Sequence, residues 1–191
     1  MILTGNEDLR VIKTIEAIKK SFSELICEKP YGRIKVKELC ERAQINKKTF
    51  YNYYETMDAL VTEMQDEMSA GYLKRIAGLE LPKDLSEVNR IFFEYSIEQG
   101  AAYERITLDT SWERIRNQMI QTVNDHSWQK SASYQRLSSF EKTLLLSFIR
   151  GTTLAAYRKW VEDGKQMPID EVLAILNRLQ LGGVQGFFPK V

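Results

Sequence analysis

Histidine is nearly missing from this chain: His126 is the single one in 191 residues. One imidazole with no neighbouring acidic pattern supports neither a zinc site nor a catalytic triad. It reads as a partly exposed residue near a helix end. Cysteine is scarce too, with only Cys27 and Cys40, both inside helical patterns. The opening residues MILTGNEDLR lack the basic start and apolar run of an export signal. The two thiols are therefore expected to be reduced, small core residues of a cytoplasmic protein, not a disulfide or a metal pair. Four prolines and ten glycines leave little room for disorder. No stretch offers about 18 uninterrupted apolar residues, so no membrane span is expected. There is no glycine-rich phosphate loop. Glu94, Glu98, Glu104 and Asp109 read as solvated faces, not acid/base pairs. These absences argue against an enzyme and imply no cofactor and no metal.

Net charge is also small, +1, with 43% apolar and 28% charged residues, as in an ordinary globular chain. Its distribution says more. Residues 1–55 hold eleven Lys and Arg against eight Asp and Glu, whereas residues 56–191 hold sixteen against eighteen. The basic excess at the front suggests an anionic partner for the N-terminal part alone.

Apolar residues recur at three and four almost throughout, and no alternating strand pattern occurs, so the fold class is all-α. A first helix starts near Asp8, a plausible cap, and runs to about Glu28, with Ile15, Ile18, Phe22, Leu25 and Ile26 on one face. Pro30 ends it. Val36, Leu39, Cys40 and Ala43 mark a second helix over about 36–42. Asn46 caps a third, about 47–54, and Thr56 a long fourth, to about Gly78. Beyond Pro82 the pattern predicts helices at about 84–99, 101–107, 110–129, 138–163 and 169–180. Ser138 and Glu141 have capping-box spacing. The 138–163 helix is apolar on more than one face and must touch more than its own core. Gly164 can stop it, and VQGFFPKV is read as a tail.

The short helices at 36–43 and 47–54, joined by about three residues, form a helix-turn-helix pattern. A major groove admits one helix, and that helix needs donors outward and an anchor inward. Phe50 and Tyr54, four apart, can anchor inward with Ile45 below them. Lys47, Lys48, Thr49, Tyr51, Asn52 and Tyr53 are left to face outward or sideways. Lysines supply charge for phosphates, Thr and Asn bond base edges, and Tyr hydroxyls reach phosphate oxygens. Asn46 at the cap, and Lys35 and Lys37 at the start of the preceding helix, complete the candidate DNA-binding set. Cations at a helix N-terminus are unfavourable unless an anion balances them, which favours groove contact for Lys47-Lys48 over a merely solvated helix start.

The segment Ile34 to Leu60, IKVKELCERAQINKKTFYNYYETMDAL, resembles the DNA-binding signature of the TetR family of bacterial transcriptional regulators, and the likeness extends over roughly residues 10–62. The resemblance implies an N-terminal three-helix DNA-binding domain, a larger helical C-terminal domain, a homodimer joined by the last two long helices, and usually repression relieved by a small ligand. It places Thr49 at a base- or backbone-contacting position, Tyr51 and Tyr53 at phosphate-contacting ones, and Lys47 and Lys48 at the base-reading start of the recognition helix. Two positions depart from the family. Gln44 stands where glycine is usual in the turn, and Met57 where a phosphate-touching lysine is common. The run Tyr157 to Gly164, followed by Pro168, is similar to the end of a TetR subgroup that includes a regulator of dihydroxyacetone kinase genes.

The domain division expected on this reading is 1–55 for DNA binding and 56–191 for ligand binding and dimerisation. Phe92, Tyr95, Tyr103, Trp112, Phe148 and Arg150 are candidates for an apolar effector pocket, with plain core packing as the alternative for each aromatic. The expected partners are a near-palindromic double-stranded operator, a second copy of the chain and an unidentified small-molecule effector. The alternative is control by a protein partner.

Overall fold

The computed structural model describes residues 8–182, apart from the side chains of residues 124 and 125. The expected tail at 184–191 lies outside the described residues. These residues form ten α-helices and two short 3-10 turns, with no strand among them. They fall into two compact units, residues 8–70 with 101–119, and residues 71–100 with 120–182.

In the first unit, α1 (Leu9–Glu28) begins where the Asp8 carboxylate accepts from the Arg10 amide. Its stripe Ile15, Ile18, Phe22, Leu25 and Ile26 is fully buried. Cys27 lies one step off that stripe and is exposed, so only Cys40 is the core thiol that both cysteines were expected to be. After Pro30 a 3-10 turn, Tyr31–Arg33, leads to α2 (Val36–Arg42) and then to α3 (Lys47–Tyr53). α4 (Met57–Ile76) follows, with Thr56 Oγ1 accepting from the Ala59 amide.

The unit does not close at residue 55. Leu60, Val61 and Met64 of α4 join its core, together with Ile106 of α6 (Gly100–Leu108) and Ile115 of α7 (Glu113–Trp128). Between them, the 3-10 turn Thr110–Trp112 drives Trp112 to full burial, against Phe22 at 6.3 Å and Tyr31 at 5.2 Å between ring centroids. Arg116, itself buried, donates to the Ile106 and Thr107 carbonyls and so satisfies the end of α6. One long and two short helices make a small core, and residues 56–70 and 101–119 add to it.

In the second unit, α5 (Leu85–Glu98), α8 (Ala132–Gln135), α9 (Ser139–Glu162) and α10 (Ile169–Gly182) join the ends of α4 and α7. Gly71 is required where α4 passes Tyr95, because a Cβ there would run into the Tyr95 hydroxyl. Phe93, Tyr157, Trp160, Leu173 and Leu176 form one core cluster. Ser138 and Glu141 close the capping box reciprocally: the Glu141 amide donates to Ser138 Oγ and the Ser138 amide to Glu141 Oε2. α9 stops at Gly164, whose φ is +68°. Phe140, Leu144 and Phe148, four apart along α9, are 77%, 58% and 42% exposed, and Ile175 and Leu181 of α10 are exposed as well. α9 thus carries an apolar face outside its own core, as its composition predicts.

Candidate nucleic-acid interface

The α2–turn–α3 segment owes its geometry to three backbone bonds. The Ala43 amide bonds the Leu39 carbonyl at 2.9 Å, the Gln44 amide bonds Glu41 at 3.3 Å, and the Ile45 amide reaches back to Cys40 at 2.9 Å. This closure requires a left-handed residue at position 44. Gln44 takes it, with φ +55°, so the turn keeps the glycine-like conformation without the glycine. Asn46 then caps α3, its Oδ1 accepting from the Thr49 amide at 2.7 Å and from Thr49 Oγ1 at 3.1 Å.

The two faces of α3 separate sharply. Phe50 and Tyr54 are buried, their rings 5.7 Å apart. Lys47, Lys48, Tyr51 and Asn52 are exposed. Thr49 and Tyr53 are half-buried, and Tyr53 packs against the core of the unit. Asn46 is exposed, with its oxygen committed to the cap. Lys35 is exposed and donates weakly to the Gly32 carbonyl, while Lys37 shares its charge with Glu41 at 3.8 Å. The exposed surface is therefore lysine charge, a phenol and an amide, carried on a helix whose opposite side is locked into the core. Cys40 lies beneath it, and burial pushes its thiol pKa above the usual value, leaving it inert.

Behind α3 is a chain of polar contacts that local periodicity does not show. The Tyr54 hydroxyl donates to Glu63 Oε1 at 3.0 Å, and Lys19 of α1 pairs with Glu63 at 2.9 Å and with Glu67 at 2.5 Å. Burial, reinforced by the Glu63 charge, pushes the Tyr54 phenol well above its ordinary value, so it remains a donor. At the start of α4, Met57 is half-buried against the core. Asp58 accepts from the Tyr31 hydroxyl and pairs with Arg114 at 3.4 Å, which offsets an anion beside the candidate surface.

The candidate pocket residues divide between the units. Trp112 is buried in the core of the first unit, and half-buried Tyr103 lies on α6 of the same unit. In the second unit, Phe92 and Tyr95 both stack on Tyr72, while Phe148 and Arg150 are exposed on α9. Trp112 carries an aromatic signal that sequence can see, but not its partners, which lie far earlier in the chain. Among the described residues no group of three or more His, Cys, Asp or Glu could hold a metal, and no helix is long and apolar enough to cross a membrane.

A helix-turn-helix presenting a basic, hydrogen-bonding helix defines a DNA-binding protein. Comparison with known proteins points the same way. Residues 23–64 match the family described as bacterial regulatory proteins, tetR family. The chain is 24% identical, over 167 residues, to the HTH-type dhaKLM operon transcriptional activator DhaS of Lactococcus lactis, covering 82% of this chain and 83% of that one. In fold it is similar to NalD of Pseudomonas aeruginosa, the secondary repressor of the MexAB-OprM multidrug efflux pump, with a TM-score of 0.67 at 15% identity over 91% of this chain and 96% of NalD. It is similar also to FadR of Bacillus subtilis, solved with stearoyl-CoA, with a TM-score of 0.65 at 15% identity over 88% and 98% of the two chains. The family match covers residues 23–64, the helix-turn-helix segment with its flanks, and the curated relatives carry the names of HTH-type transcriptional regulators.

Proposed function

We propose that the chain is a homodimeric, ligand-responsive repressor that inserts α3 of each copy into successive major grooves of a near-palindromic operator, about 34–36 Å apart. The carrying observation is the division of α3, with Phe50 and Tyr54 buried and Lys47, Lys48, Tyr51 and Asn52 exposed. On this reading Lys47 and Lys48 reach both base edges and the flanking phosphates, together with Asn52 and Thr49. Tyr51, Tyr53, Lys35 and Lys37 hold phosphates, and Asn46 offers its remaining amide hydrogens at the helix start. Dimerisation uses α9 and α10 as a four-helix bundle, supported by the exposed row Phe140, Leu144 and Phe148 with Ile175 and Leu181. An effector releases DNA by favouring an arrangement with different helix spacing.

Two observations favour variants of this reading. The Lactococcus relative is named an activator, so the sign of regulation is to be measured. Phe92 and Tyr95 already pack on Tyr72, so a small effector has to part these rings, and control through a protein partner is the alternative reading. The test uses a duplex from the chain's own upstream region, titrated by fluorescence anisotropy, and a promoter fusion to a reporter. Binding that weakens in Lys48→Ala and Tyr51→Phe supports the surface, and binding unchanged in both removes it. Reporter output that falls when the regulator is supplied supports repression, and output that rises establishes activation.

A further inference from the structure

We propose that Tyr54, Glu63 and Lys19 form a positioning network that sets the roll of α3, so that the Tyr54 hydroxyl governs discrimination between DNA sequences. This rests on the reading of α3 as the recognition helix.

Tyr54 is 2% exposed and Glu63 7%, beside the apolar side chains of Leu60 and Met64. A carboxylate in that place gains little over an apolar side chain of similar size, because desolvation offsets most of its pairing. What it adds is direction. α3 has only seven residues, and its inward anchor Phe50 carries an apolar ring that makes no directional bond against rotation. The Tyr54–Glu63 bond at 3.0 Å does not tolerate it. Glu63 is in turn held by Lys19 of α1, whose second partner, Glu67, lies one turn further along α4. The C-terminal end of α3 is thereby tied to two long helices at once.

Base edges are read through hydrogen bonds whose geometry fails within a few tenths of an ångström, whereas flexible lysines follow phosphates through such a shift. Losing the hydroxyl therefore weakens specific binding and spares non-specific binding. A purely structural role would lower thermal stability and leave discrimination alone.

The full-length wild-type chain is used to select a duplex of about 30 base pairs from a random library, long enough for two half-sites one helical turn apart. Its affinity is compared with that for a scrambled duplex of the same composition, across a range of salt. Tyr54→Phe keeps the ring and is expected to reduce the affinity ratio about five- to tenfold, the worth of one directional hydrogen bond, with the salt slope unchanged. Glu63→Gln retains an acceptor and is expected to keep a higher ratio than Tyr54→Phe. Glu67→Gln, which touches only the outer pair, is expected to leave the ratio as in the wild type. A Tyr54→Phe ratio equal to that of the wild type overturns the inference, as does an equal loss on both duplexes. If the wild type enriches no sequence, the recognition-helix reading fails and the inference falls with it.

Discussion

The indole of Trp112 stands 5.2 Å from the ring of Tyr31, centroid to centroid, although the two come from separate chain segments of the first unit. Trp112 is completely buried there. The DNA-binding unit is thus built partly from residues beyond its helix-turn-helix, and a shift in residues 101–119 is felt in its core.

Trp112→Ala is expected to destabilise the unit by about 3–5 kcal/mol, the range for truncating a large core aromatic. Urea unfolding followed by far-UV circular dichroism measures it. A fragment ending at residue 70 lacks Trp112, Ile106 and Ile115 from the same core and should show no cooperative transition. A fragment that unfolds as sharply as the full chain would remove the claim that 101–119 completes the unit.

Gln44→Gly is expected to stabilise the chain by about 0.5–1 kcal/mol. Relief of the left-handed strain, about 1–2 kcal/mol, exceeds the added unfolded-state entropy of glycine, about 0.5–1 kcal/mol. A fall in melting temperature would mean that the Gln44 side chain makes a stabilising contact of its own.

These two positions show what was legible in the sequence and what was not. The helix starts at Asp8, Asn46 and Ser138, and the buried stripe Ile15 to Ile26, follow from local chemistry and from the 3.6-residue period. So does the split of α3 into anchors and exposed groups. The departure at Gln44 could be seen, but the left-handed outcome was settled only by the bonds of Ala43, Gln44 and Ile45 back into α2. For Trp112 the sequence leaves pocket wall and plain core both open, because its partners, Phe22 and Tyr31, lie far away in the chain, where periodicity carries no information. Cys27 failed through helical phase alone, one residue beyond Ile26. The Tyr54–Glu63–Lys19 chain joins three helices, and no local spacing announces it.

Acid should weaken the start of α9. The Ser138 hydroxyl and amide hold the Glu141 carboxyl below its ordinary 4.5. A depressed folded pKa means that this stabilisation is complete above the unfolded value and is lost as pH falls through the lower folded one. Ser138→Ala should lower the melting temperature at pH 7 and flatten its decline below about pH 4.5. An acid profile parallel to that of the wild type would show that the box contributes nothing to it.

A double change, Phe140→Glu with Leu144→Glu, places like charges on the apolar row of α9. Sedimentation velocity should then show a monomer of about the chain mass, 22.2 kDa, where the proposal expects the wild type to sediment as a dimer. Retention of the dimer would move the interface away from this face.

The most direct test of the central claim, that the exposed face of α3 meets DNA, is the salt dependence of binding to the upstream duplex. Each phosphate-neutralising lysine contributes about 0.9 to the slope of log K against log salt. Lys48→Ala should bind more weakly and reduce that slope by about one unit, while Cys27→Ser, at an exposed position off α1's buried stripe, should leave both unchanged. A Lys48→Ala chain with wild-type affinity and wild-type slope would contradict the account.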